Sequence, residues 1–388
     1  MADEKAGGVA DDWDTVMRVL PAGWEAKARE LGALRRCREF PDAATLLRVL
    51  LIHLAEGCSL RETAVRAAEG QLVRVSDVAL MKRLKSSGEW FRWMSEAMMR
   101  QWMTPRAARA LLGEGQRVRV VDGSIVNEPG VTGSTWRLHY ATALPSLTCD
   151  EVHVSEATVG ESLRRFQVAA GDVLIADRGY ANRGGVRWVH QHGGTVIVRL
   201  NLTNLPLVDA KGRPVVLLRH LRTLRTGRIG EWPVWIAADK KGEAAIAARL
   251  CAIKKSKAAA QRARDKAASE SRRQGHQVRP DTLEAAGYIF VFTTLAAHVP
   301  AHAVLELYRG RWQVELAFKR LKSLLALGHL KKTDPQAAQA WLQGKLLVAI
   351  LIECLIALAE RFFPWGYPLE SDSPPLPLAR DLAHATPA

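Results

Sequence analysis

Apolar residues recur at helical spacing through residues 1–115, which predicts an all-helical N-terminal domain. Ser59 and Glu62 have the spacing of a capping box, in which each residue satisfies a free backbone N–H group of the other. Ser76 precedes a second short apolar stripe, so two short helices separated by a turn are expected within residues 59–90. This order is typical of a helix-turn-helix, although a plain helical hairpin with a solvated basic face has the same pattern.

From about residue 116 the pattern changes to short strands, two of which lead to an aspartate. Polar and apolar residues alternate from Arg117 to Asp122, and a continuous apolar run precedes Asp177. We expect each aspartate at the C-terminal tip of its strand, where open α/β sheets place their functional sites. Further strands are predicted at residues 136–144, 151–157 and 195–200, and helices at residues 161–169 and 181–192.

A β-rich insertion is predicted over residues 201–285, where the order of strands and helices is interrupted. Its expected antiparallel strands are residues 215–220, 230–238 and 248–254. Residues 254–279 are rich in lysine and arginine, and only Asp265 and Glu270 oppose them. Such a run is either a solvated helix or loop, or an arm that follows DNA.

The last hundred residues predict one strand and two long helical segments. These are residues 288–295, 301–325 and 336–362. We expect residues 116–200 and 286–335 to share one α/β core, because the strand at 288–295 resumes the earlier pattern. Residues 336–388 are expected to form C-terminal helices and a proline-rich tail. Dimerisation is one function that this segment could have.

The positive charge of the chain narrows its partners. Lysine and arginine total 55 against 40 aspartate and glutamate residues, which gives a formal net charge of +15 and a pI near 9.9. Such a surface usually binds nucleic acid or an anionic membrane. The two most apolar stretches, residues 43–55 and 346–359, are interrupted by ionisable side chains, so buried helices are expected rather than membrane spans.

Composition excludes several other classes of protein. A hydrophobic content of 48% is ordinary for a globular protein and argues against disorder of the bulk of the chain. The first residues are polar and acidic, unlike a secretory or transit peptide. The five cysteines are scattered without a Cys-x-x-Cys motif, which indicates neither a disulfide framework nor a zinc ribbon and suits a reducing cytoplasm.

One side of a predicted helix near the C-terminus has polar and ionisable residues that suit a functional site rather than a buried core. Its members, at successive spacings of three, four and seven residues, are Tyr308, Arg311, Glu315 and Lys322. A continuous helix would place all four on one side. An aromatic hydroxyl, a carboxylate and two cations are not a core pattern, and the neighbouring cations favour the ionised form of Glu315.

The motif Tyr-x2-Arg-x3-Glu-x6-Lys resembles the signature of bacterial transposases of the insertion-sequence family four. The segments around Asp122 and Asp177 are similar to the first and second carboxylate motifs of that family. The resemblance covers about residues 117–330 and is weaker in the N-terminal helices. It implies an α/β fold with a ribonuclease-H-like mixed sheet and flanking helices, preceded by a helical domain that binds DNA.

The resemblance also implies a two-metal mechanism. Asp122, Asp177 and Glu315 would bind two Mg²⁺ or Mn²⁺ ions, with Asp122 shared and each of the others completing one site. DNA cleavage and joining are in-line displacements at phosphorus, in which charge builds on the attacking and leaving oxygens. One ion would activate water or a 3′-OH group and the other would stabilise the leaving oxygen, so no covalent intermediate with the protein is needed.

A second set of residues is expected to contact DNA beside the carboxylates. In the family, positions that match Tyr308, Arg311 and Lys322 contact DNA, and a neighbouring tryptophan helps to hold a flipped base. The predicted DNA-binding set is Tyr308, Arg311, Trp312, Lys319, Lys322, Arg178, Lys82, Arg83 and Lys85. Trp232 or Trp235 in the insertion could supply a stacking partner, although strand packing explains both more simply.

Other ionisable residues of the core are expected to be structural. Asp172 begins its strand and therefore lies far from the functional tip. Asp150 and Glu151 are expected at a solvated turn. His139 and His153 are expected to be hydrogen-bonded structural residues on strands.

The main hypothesis from the sequence is a transposase. It would bind double-stranded DNA with terminal inverted repeats, cut both ends as a homodimer and join them to target DNA, in the cytoplasm and associated with the nucleoid. A ribonuclease-H-like endonuclease that does not transpose is one alternative, and it would cleave without joining. A DNA-binding regulator is the other, and it would use only the N-terminal helices and the basic arm. No membrane partner is expected.

Overall fold

A computed structural model describes residues 12–35, 37, 39–102, 115–126, 136–144, 149–238, 244–273, 275–311 and 334–362. The predictions for the proline-rich tail and for four site residues lie outside the described residues, namely Trp312, Glu315, Lys319 and Lys322. The chain divides into two compact units. The first comprises Met1–Ala110, Arg119–Glu161 and Trp312–Arg361, and the second comprises Leu111–Val118, Ser162–Arg311 and Phe362–Ala388.

The described residues form the following helices and strands. In chain order the α-helices are α1 (Asp12–Val19), α2 (Trp24–Glu30), α3 (Ala43–Ala55), α4 (Leu60–Glu69), α5 (Asp77–Ser86), α6 (Gly88–Trp102), α7 (Arg183–Gln191), α8 (Leu217–Leu221), α9 (Lys257–Arg273), α10 (Pro280–Ala285), α11 (Ala301–Arg309) and α12 (Pro335–Phe362). The strands are β1 (Arg117–Val126), β2 (Trp136–Leu144), β3 (Cys149–Glu156), β4 (Asp172–Ala176), β5 (Thr195–Arg199), β6 (Ile229–Ile236), β7 (Ile246–Lys254) and β8 (Tyr288–Thr293).

Two helices of the first unit begin where the capping residues predict. The Ser59 hydroxyl accepts a hydrogen bond from Glu62 N at 3.1 Å, and the Ser76 hydroxyl accepts one from Ala79 N at 3.2 Å. Each contact satisfies a backbone N–H group that a helix start leaves free. The predicted pair of short helices, now α4 and α5, is confirmed. A DNA-binding role for this pair stays a prediction.

The long helix α12 belongs to the core of the first unit. Its segment Pro335–Ile356 is long and apolar enough to cross a membrane, with a mean hydropathy of 1.5, but 67% of its apolar window is buried in the protein. A Cβ atom at Gly344 would lie 2.5 Å from the Leu54 side chain of α3, so the two helices are in close contact. The ammonium of the buried Lys345 lies 5.3 Å from the centre of the Trp341 ring. These contacts favour the buried helix that the sequence predicts.

The strands of the first unit follow the order β3-β2-β1. β2 and β3 are antiparallel, with His139 opposite His153. His139 Nε2 lies 2.9 Å from the Ser155 hydroxyl, and His153 Nε2 lies 2.6 Å from a carboxylate oxygen of Glu151. Both histidines are therefore hydrogen-bonded strand residues, which confirms the prediction made for them.

The expected solvated turn at Asp150 and Glu151 is wrong, because both residues lie on β3 and bind a buried cation. Arg119 of β1 donates to Asp150 at 2.7 and 3.1 Å and to Glu151 at 2.6 Å. Burial alone lowers the pKa of Arg119, but the two carboxylates outweigh burial and hold that pKa above its ordinary value. The three side chains form a buried ionic cluster that joins the strands.

The second unit is built on a mixed sheet with the strand order β4-β5-β8-β7-β6. β4 and β5 are parallel, and the other neighbouring pairs are antiparallel. The two strands of the predicted insertion, β6 and β7, therefore continue the sheet through β8. Helices α7 and α11 pack against its strands. The predicted α/β class with a mixed sheet and flanking helices is confirmed.

The helix predicted at residues 161–169 is wrong. Only Leu163–Arg165 forms a single 3-10 turn, and the Ser162 hydroxyl caps it. The next residue, Phe166, has an extended backbone and a buried side chain. The backbone thus extends after one turn, at a residue whose ring is buried in the core.

The strand predicted at residues 215–220 is also wrong, because the segment contains the short helix α8. Its buried apolar residues lie at positions i, i+1 and i+4, which is the spacing of a helix rather than of a strand. These residues are Leu217, Leu218 and Leu221. The expected strands over residues 230–238 and 248–254 are confirmed as β6 and β7.

The long helix predicted from residue 301 to residue 325 ends early within its described part. α11 ends before Gly310, and Arg311 lies in a turn whose N–H group donates to Tyr308 O at 3.0 Å. Glycine costs about 1 kcal/mol relative to alanine inside a helix, which favours an end at this position. Tyr308 and Arg311 therefore do not share one continuous helix, and the rest of the motif lies outside the described residues.

Candidate active site

Asp177 directly follows the buried strand β4, at the tip that the apolar run predicts. The next residues, Arg178–Tyr180, form a 3-10 turn. The Tyr180 ring is fully buried and lies 6.4 Å from the centre of the Phe166 ring. This packing anchors the turn, so Asp177 is held in place while it stays partly exposed.

Tyr308 contacts Asp177 in the second unit, and Arg311 approaches Tyr308. The Tyr308 hydroxyl donates a long hydrogen bond to Asp177 Oδ1 at 3.4 Å, and Arg311 hydrogen-bonds to the Tyr308 oxygen. Burial, followed by the negative charge of Asp177, raises the pKa of Tyr308 to about 12. The phenol is therefore a neutral donor at physiological pH. Tyr308 is 9% exposed and its hydroxyl contacts Asp177. The DNA contact that the sequence predicts for Tyr308 stays a prediction.

Arg199 is a cation of this site that the sequence pattern does not single out. β4 and β5 are parallel with Ala176 opposite Val198, so Asp177 and Arg199 are the next residues at the same edge of the sheet. The charges of Arg311 and Arg199 act against the rise in the pKa of Tyr308. The sequence could have indicated Arg199 only through its position. It is the last residue of β5, and Asp177 directly follows the parallel strand β4.

Asp122 lies within β1 and not at its tip, so this part of the prediction is wrong. β1 continues to Val126, because Ser124 and Val126 are buried while Ile125 is exposed, which is the alternation of a strand. Asp122 is partly buried, and its Oδ1 accepts a hydrogen bond from Gly123 N at 2.8 Å. The carboxylate therefore stands on the side of a strand in the first unit.

Glu161 is a second carboxylate near Asp122 in the first unit, and no sequence motif contains it. A Cβ atom at Gly123 would lie 2.8 Å from Glu161 Oε1, so the Glu161 side chain covers the peptide that binds Asp122. Arg137 Nη1 lies 3.9 Å from the same oxygen. The only hint in the sequence is the glycine after Asp122, where a side chain would displace Glu161.

Arg178 is exposed, and its backbone is held by a neighbouring loop. The side-chain amide of Asn204 donates to the Arg178 carbonyl at 3.0 Å. Asn201 Oδ1 in turn accepts from Thr203 N at 2.9 Å and from Asn204 N at 2.6 Å. Two asparagines thus fix the loop after β5 onto the turn that follows Asp177.

The three predicted cations of α5 have different surroundings. Lys82 is exposed and Arg83 is partly buried. The ammonium of Lys85 pairs with Asp334 at 2.9 Å, and Asp334 also caps α12 by accepting from Ala337 N at 2.8 Å. Lys85 therefore holds α5 to the start of α12. Lys82 is the more exposed of these two lysines.

Trp232 and Trp235 are partly buried on β6. The Trp232 ring centre lies 5.3 Å from that of His220, and the ring covers Gly230, where a side chain would collide with it. Trp235 exchanges two backbone hydrogen bonds of 2.9 Å with Val208. These contacts favour strand packing over a role in base stacking.

Asp172 is a buried structural residue, as predicted. Its carboxylate accepts two hydrogen bonds of 2.8 Å from Arg117 and one of 3.0 Å from Ala169 N. The adjacent Gly171 has a φ of 86°, and a Cβ atom there would lie 2.6 Å from the carbonyl oxygen of Gly115. Only glycine combines this backbone conformation with so close an approach, so the junction at the start of β4 is tightly specified.

The chemistry of Asp122 and Asp177 suits a hard divalent cation. Both are partly exposed carboxylates, and carboxylate oxygens are preferred ligands of Mg²⁺ and Mn²⁺. Within the part of the chain that the structure describes, no group of three or more histidine, cysteine, aspartate or glutamate side chains could hold a metal ion. The third predicted ligand, Glu315, lies outside that part.

Comparison with known proteins identifies the class to which the chain belongs. The family described as "Transposase DDE domain" matches residues 147–351, a region that contains Asp177, Tyr308, Arg311 and Glu315. The chain therefore belongs to the DDE transposases, which are enzymes that cleave and transfer DNA.

Two relatives from Escherichia coli match almost the whole chain. The transposase for insertion sequence element IS421 is 36% identical over 361 residues, covering 91% of this chain and 96% of that protein. The protein described as "Putative transposase InsL for insertion sequence element IS186A", from strain K12, is 36% identical over 360 residues, and it covers the same shares of the two chains. A solved structure of the catalytic domain of human endonuclease V matches with a TM-score of 0.26 and 13% identity, covering 61% of this chain and 96% of that chain. A likeness of that size defines neither fold nor function.

Proposed function

We propose that this transposase catalyses metal-dependent DNA strand cleavage and strand transfer at the ends of an insertion sequence, in a cut-and-paste reaction. The observation that carries the proposal is the contact of Tyr308 with Asp177, which joins two separate motifs of the predicted site. Arg311 of the same motif approaches the phenol. The IS421 relative, named as a transposase for an insertion sequence element, supports the same substrate.

Asp122, Asp177 and Glu315 would hold the metal, as two Mg²⁺ or Mn²⁺ ions in each active site. When bound, the metal supplies activation of the attacking hydroxyl group and stabilisation of charge on the leaving oxygen. The core would be ribonuclease-H-like. The order β3-β2-β1 in the first unit and the parallel pair β4-β5 in the second support this assignment.

The protein groups around Asp177 have distinct roles in the proposed reaction. Tyr308 holds one oxygen of the carboxylate as a neutral donor and so orients the other oxygen. Arg311 and Arg199 add positive charge at the same edge, which attracts the DNA phosphate to the site. Tyr308 is accordingly a positioning residue rather than a phosphate ligand.

The remaining predicted DNA contacts are part of the proposal. They are Arg178, Trp312, Lys319, Lys322, Lys82, Arg83 and Lys85. Exposure of Lys82 and of Arg178 supports a contact at these two positions. Lys85 would have to exchange Asp334 for a phosphate, because its ammonium is already paired.

The proposed domain roles and partners follow the same scheme. Residues 1–115 would bind the terminal inverted repeats of double-stranded DNA, residues 201–285 would add the basic insertion, and residues 336–388 would contribute to dimerisation. The active complex would be a homodimer on both ends of the element together with target DNA. It would act in the cytoplasm, on DNA of the nucleoid, without a membrane partner.

The direct test of this function uses the full chain and the DNA that flanks its gene. Short inverted repeats bordered by direct duplications would define the ends, and a labelled duplex that carries one end is the substrate. We expect Mg²⁺-dependent nicking at the repeat boundary and joined products with a target plasmid, both stopped by EDTA. Nicking without joined products would support the non-transposing endonuclease instead, and binding without nicking would support the DNA-binding regulator.

Removal of the Tyr308 hydroxyl is expected to lower the nicking rate about 10- to 100-fold, because the carboxylate of Asp177 loses the group that orients it. Tyr308→Phe keeps the ring, so folding and DNA binding should stay near wild type. The Mg²⁺ concentration for half-maximal rate should rise in this variant, which a purely structural role would not cause. Tyr288→Phe on β8 removes a hydroxyl elsewhere in the unit and serves as the control. An unchanged rate and Mg²⁺ dependence in Tyr308→Phe would contradict the positioning role.

A further inference from the structure

Arginines at every third position mark one exposed segment of the second unit. We call this set the arginine row, and its members are Arg219, Arg222, Arg225 and Arg228. Between Asp209 and Glu231 the chain contains six lysine and arginine residues and no acidic residue. The charge pattern of the insertion predicts a cationic arm only at residues 254–279, so the arginine row is an additional cationic element.

Buried leucines at the same spacing keep the arginine row on the surface. Leu218, Leu221 and Leu224 are 6%, 0% and 7% exposed, whereas all four arginines are exposed. The leucines pack into the unit and occupy the inward side of the segment. The guanidinium groups therefore lie on its outward side, where a partner can reach them.

Contacts with two neighbouring elements hold the segment in place. Thr226 pairs with Lys254 at the end of β7, and Gly227 N donates to the Lys254 carbonyl at 3.2 Å. Arg222 donates two hydrogen bonds, of 2.8 and 2.7 Å, to the Glu284 carboxylate of α10. Arg222 thus fixes the segment, and the backbone that carries the other three arginines is preorganised.

The rest of the arginine row has its charge available for a partner. The members that no carboxylate of the described residues pairs with are Arg219, Arg225 and Arg228. Two further cations adjoin them. The ammonium of Lys254 lies 5.6 Å from the centre of the Tyr288 ring, and that of Lys255 donates to the Ala286 carbonyl at 2.8 Å. Burial, and then the charge of Arg199, lower the pKa of Lys255 to about 8, so most of this group is still charged at neutral pH.

We propose that the arginine row docks the phosphate backbone of duplex DNA outside the cleavage site. The proposal rests on the transposase function proposed above and extends DNA binding to a surface that carries no carboxylate ligand. Three guanidinium groups that no carboxylate of the described residues pairs with, carried on a fixed backbone, suit the repeating phosphates of a duplex. Residues 210–230 contain no asparagine or glutamine to pair with adenine edges, which favours contact with the backbone over reading of bases.

The test compares two double variants of the full chain that remove the same charge. Arg225→Gln with Arg228→Gln changes the arginine row. Lys211→Gln with Arg213→Gln changes two nearby exposed cations, of which Arg213 is already paired with Asp209. Affinity for a labelled duplex without inverted repeats is measured by fluorescence anisotropy over a range of salt concentrations. The slope of log affinity against log salt is negative, and we expect its magnitude to fall by roughly 1.8 for the row variant, about 0.9 per lost phosphate contact. The slope of the control variant should stay near wild type.

Equal slopes for the two double variants would overturn the proposal. So would row-dependent binding to phosphatidylglycerol vesicles combined with an unchanged slope on DNA, because the row would then belong to a lipid surface. Circular dichroism checks folding, and if the double variant is unfolded, Arg228→Gln alone has to lower the magnitude of the slope by roughly 0.9. Failure of the wild-type protein to nick its end duplex would count against the proposed function, while the salt slopes would still decide the role of the row.

Discussion

Asp177→Asn is expected to reduce Mg²⁺-dependent nicking of end DNA on the order of 10³-fold or more, with DNA binding near wild type. The amide is a weaker ligand for a hard cation than the carboxylate, although it has almost the same shape. Tyr308 can still donate to the amide oxygen, so the local structure should persist. Single-turnover nicking at saturating protein, together with an affinity measurement on the same duplex, separates chemistry from binding.

Glu306→Gln supplies a matched control for this variant. Glu306 lies on α11 close to Tyr308 in sequence, but it is exposed and pairs only loosely with Arg309, at 3.9 Å. Its loss removes one carboxylate from the same helix without touching Asp177, so nicking should stay near wild type. Full nicking activity in Asp177→Asn would remove this carboxylate from the proposed metal site.

Arg119→Met is expected to lower the free energy of unfolding by about 3–5 kcal/mol, the largest effect on stability that we predict. The substitution fills much of the same space but leaves Asp150 and Glu151 on β3 without the cation that binds both. Arg119 is 1% exposed, so water cannot replace the guanidinium without a local rearrangement. Urea unfolding followed by circular dichroism measures the difference.

An exposed arginine in the same unit shows whether the expected loss of stability comes from burial of the ion pairs or from ion pairing alone. Arg92 of α6 binds Glu89 and Glu96, each at 2.7 Å, but it is largely solvated, so Arg92→Met should cost no more than about 1 kcal/mol. Adding Glu151→Gln to Arg119→Met should recover part of the loss, because one of the uncompensated charges is removed. Similar costs for Arg119→Met and Arg92→Met would show that the cluster contributes little.

The elements that the sequence predicts correctly are those set by neighbouring residues. Ser59 and Ser76 begin α4 and α5 because each hydroxyl satisfies the free N–H group of the residue three positions later. The apolar run before Asp177 predicts both a buried strand and the placement of the carboxylate at its end. The same local logic predicts β6 and β7.

The errors arise where a distant partner decides the outcome. Asp150 and Glu151 look like a solvated turn until Arg119, some thirty residues earlier, is placed beside them on the neighbouring part of the sheet. β1 extends past Asp122 for a related reason, since Ser124 is buried by packing that its own polarity does not predict.

The contact between Tyr308 and Asp177 is one that motif spacing does not predict. The spacing indicates which residues act together, but it does not say whether a hydroxyl binds DNA or another side chain of the protein. Asp177 comes within reach of the phenol only because β4 and α11 meet in the folded second unit. The contacts of Arg199 depend on strand register in the same way.

The strand β6 is the edge strand of the sheet in the second unit, since it pairs with β7 on one side only. Its other side is where a strand of another chain could pair. An open edge strand invites pairing with another chain. Pro233, in the middle of β6, has no N–H group to offer such a partner, and Trp235 already uses both backbone groups on Val208. The unit thereby protects its own edge, and β6 is poorly suited to pair with a strand of a second copy.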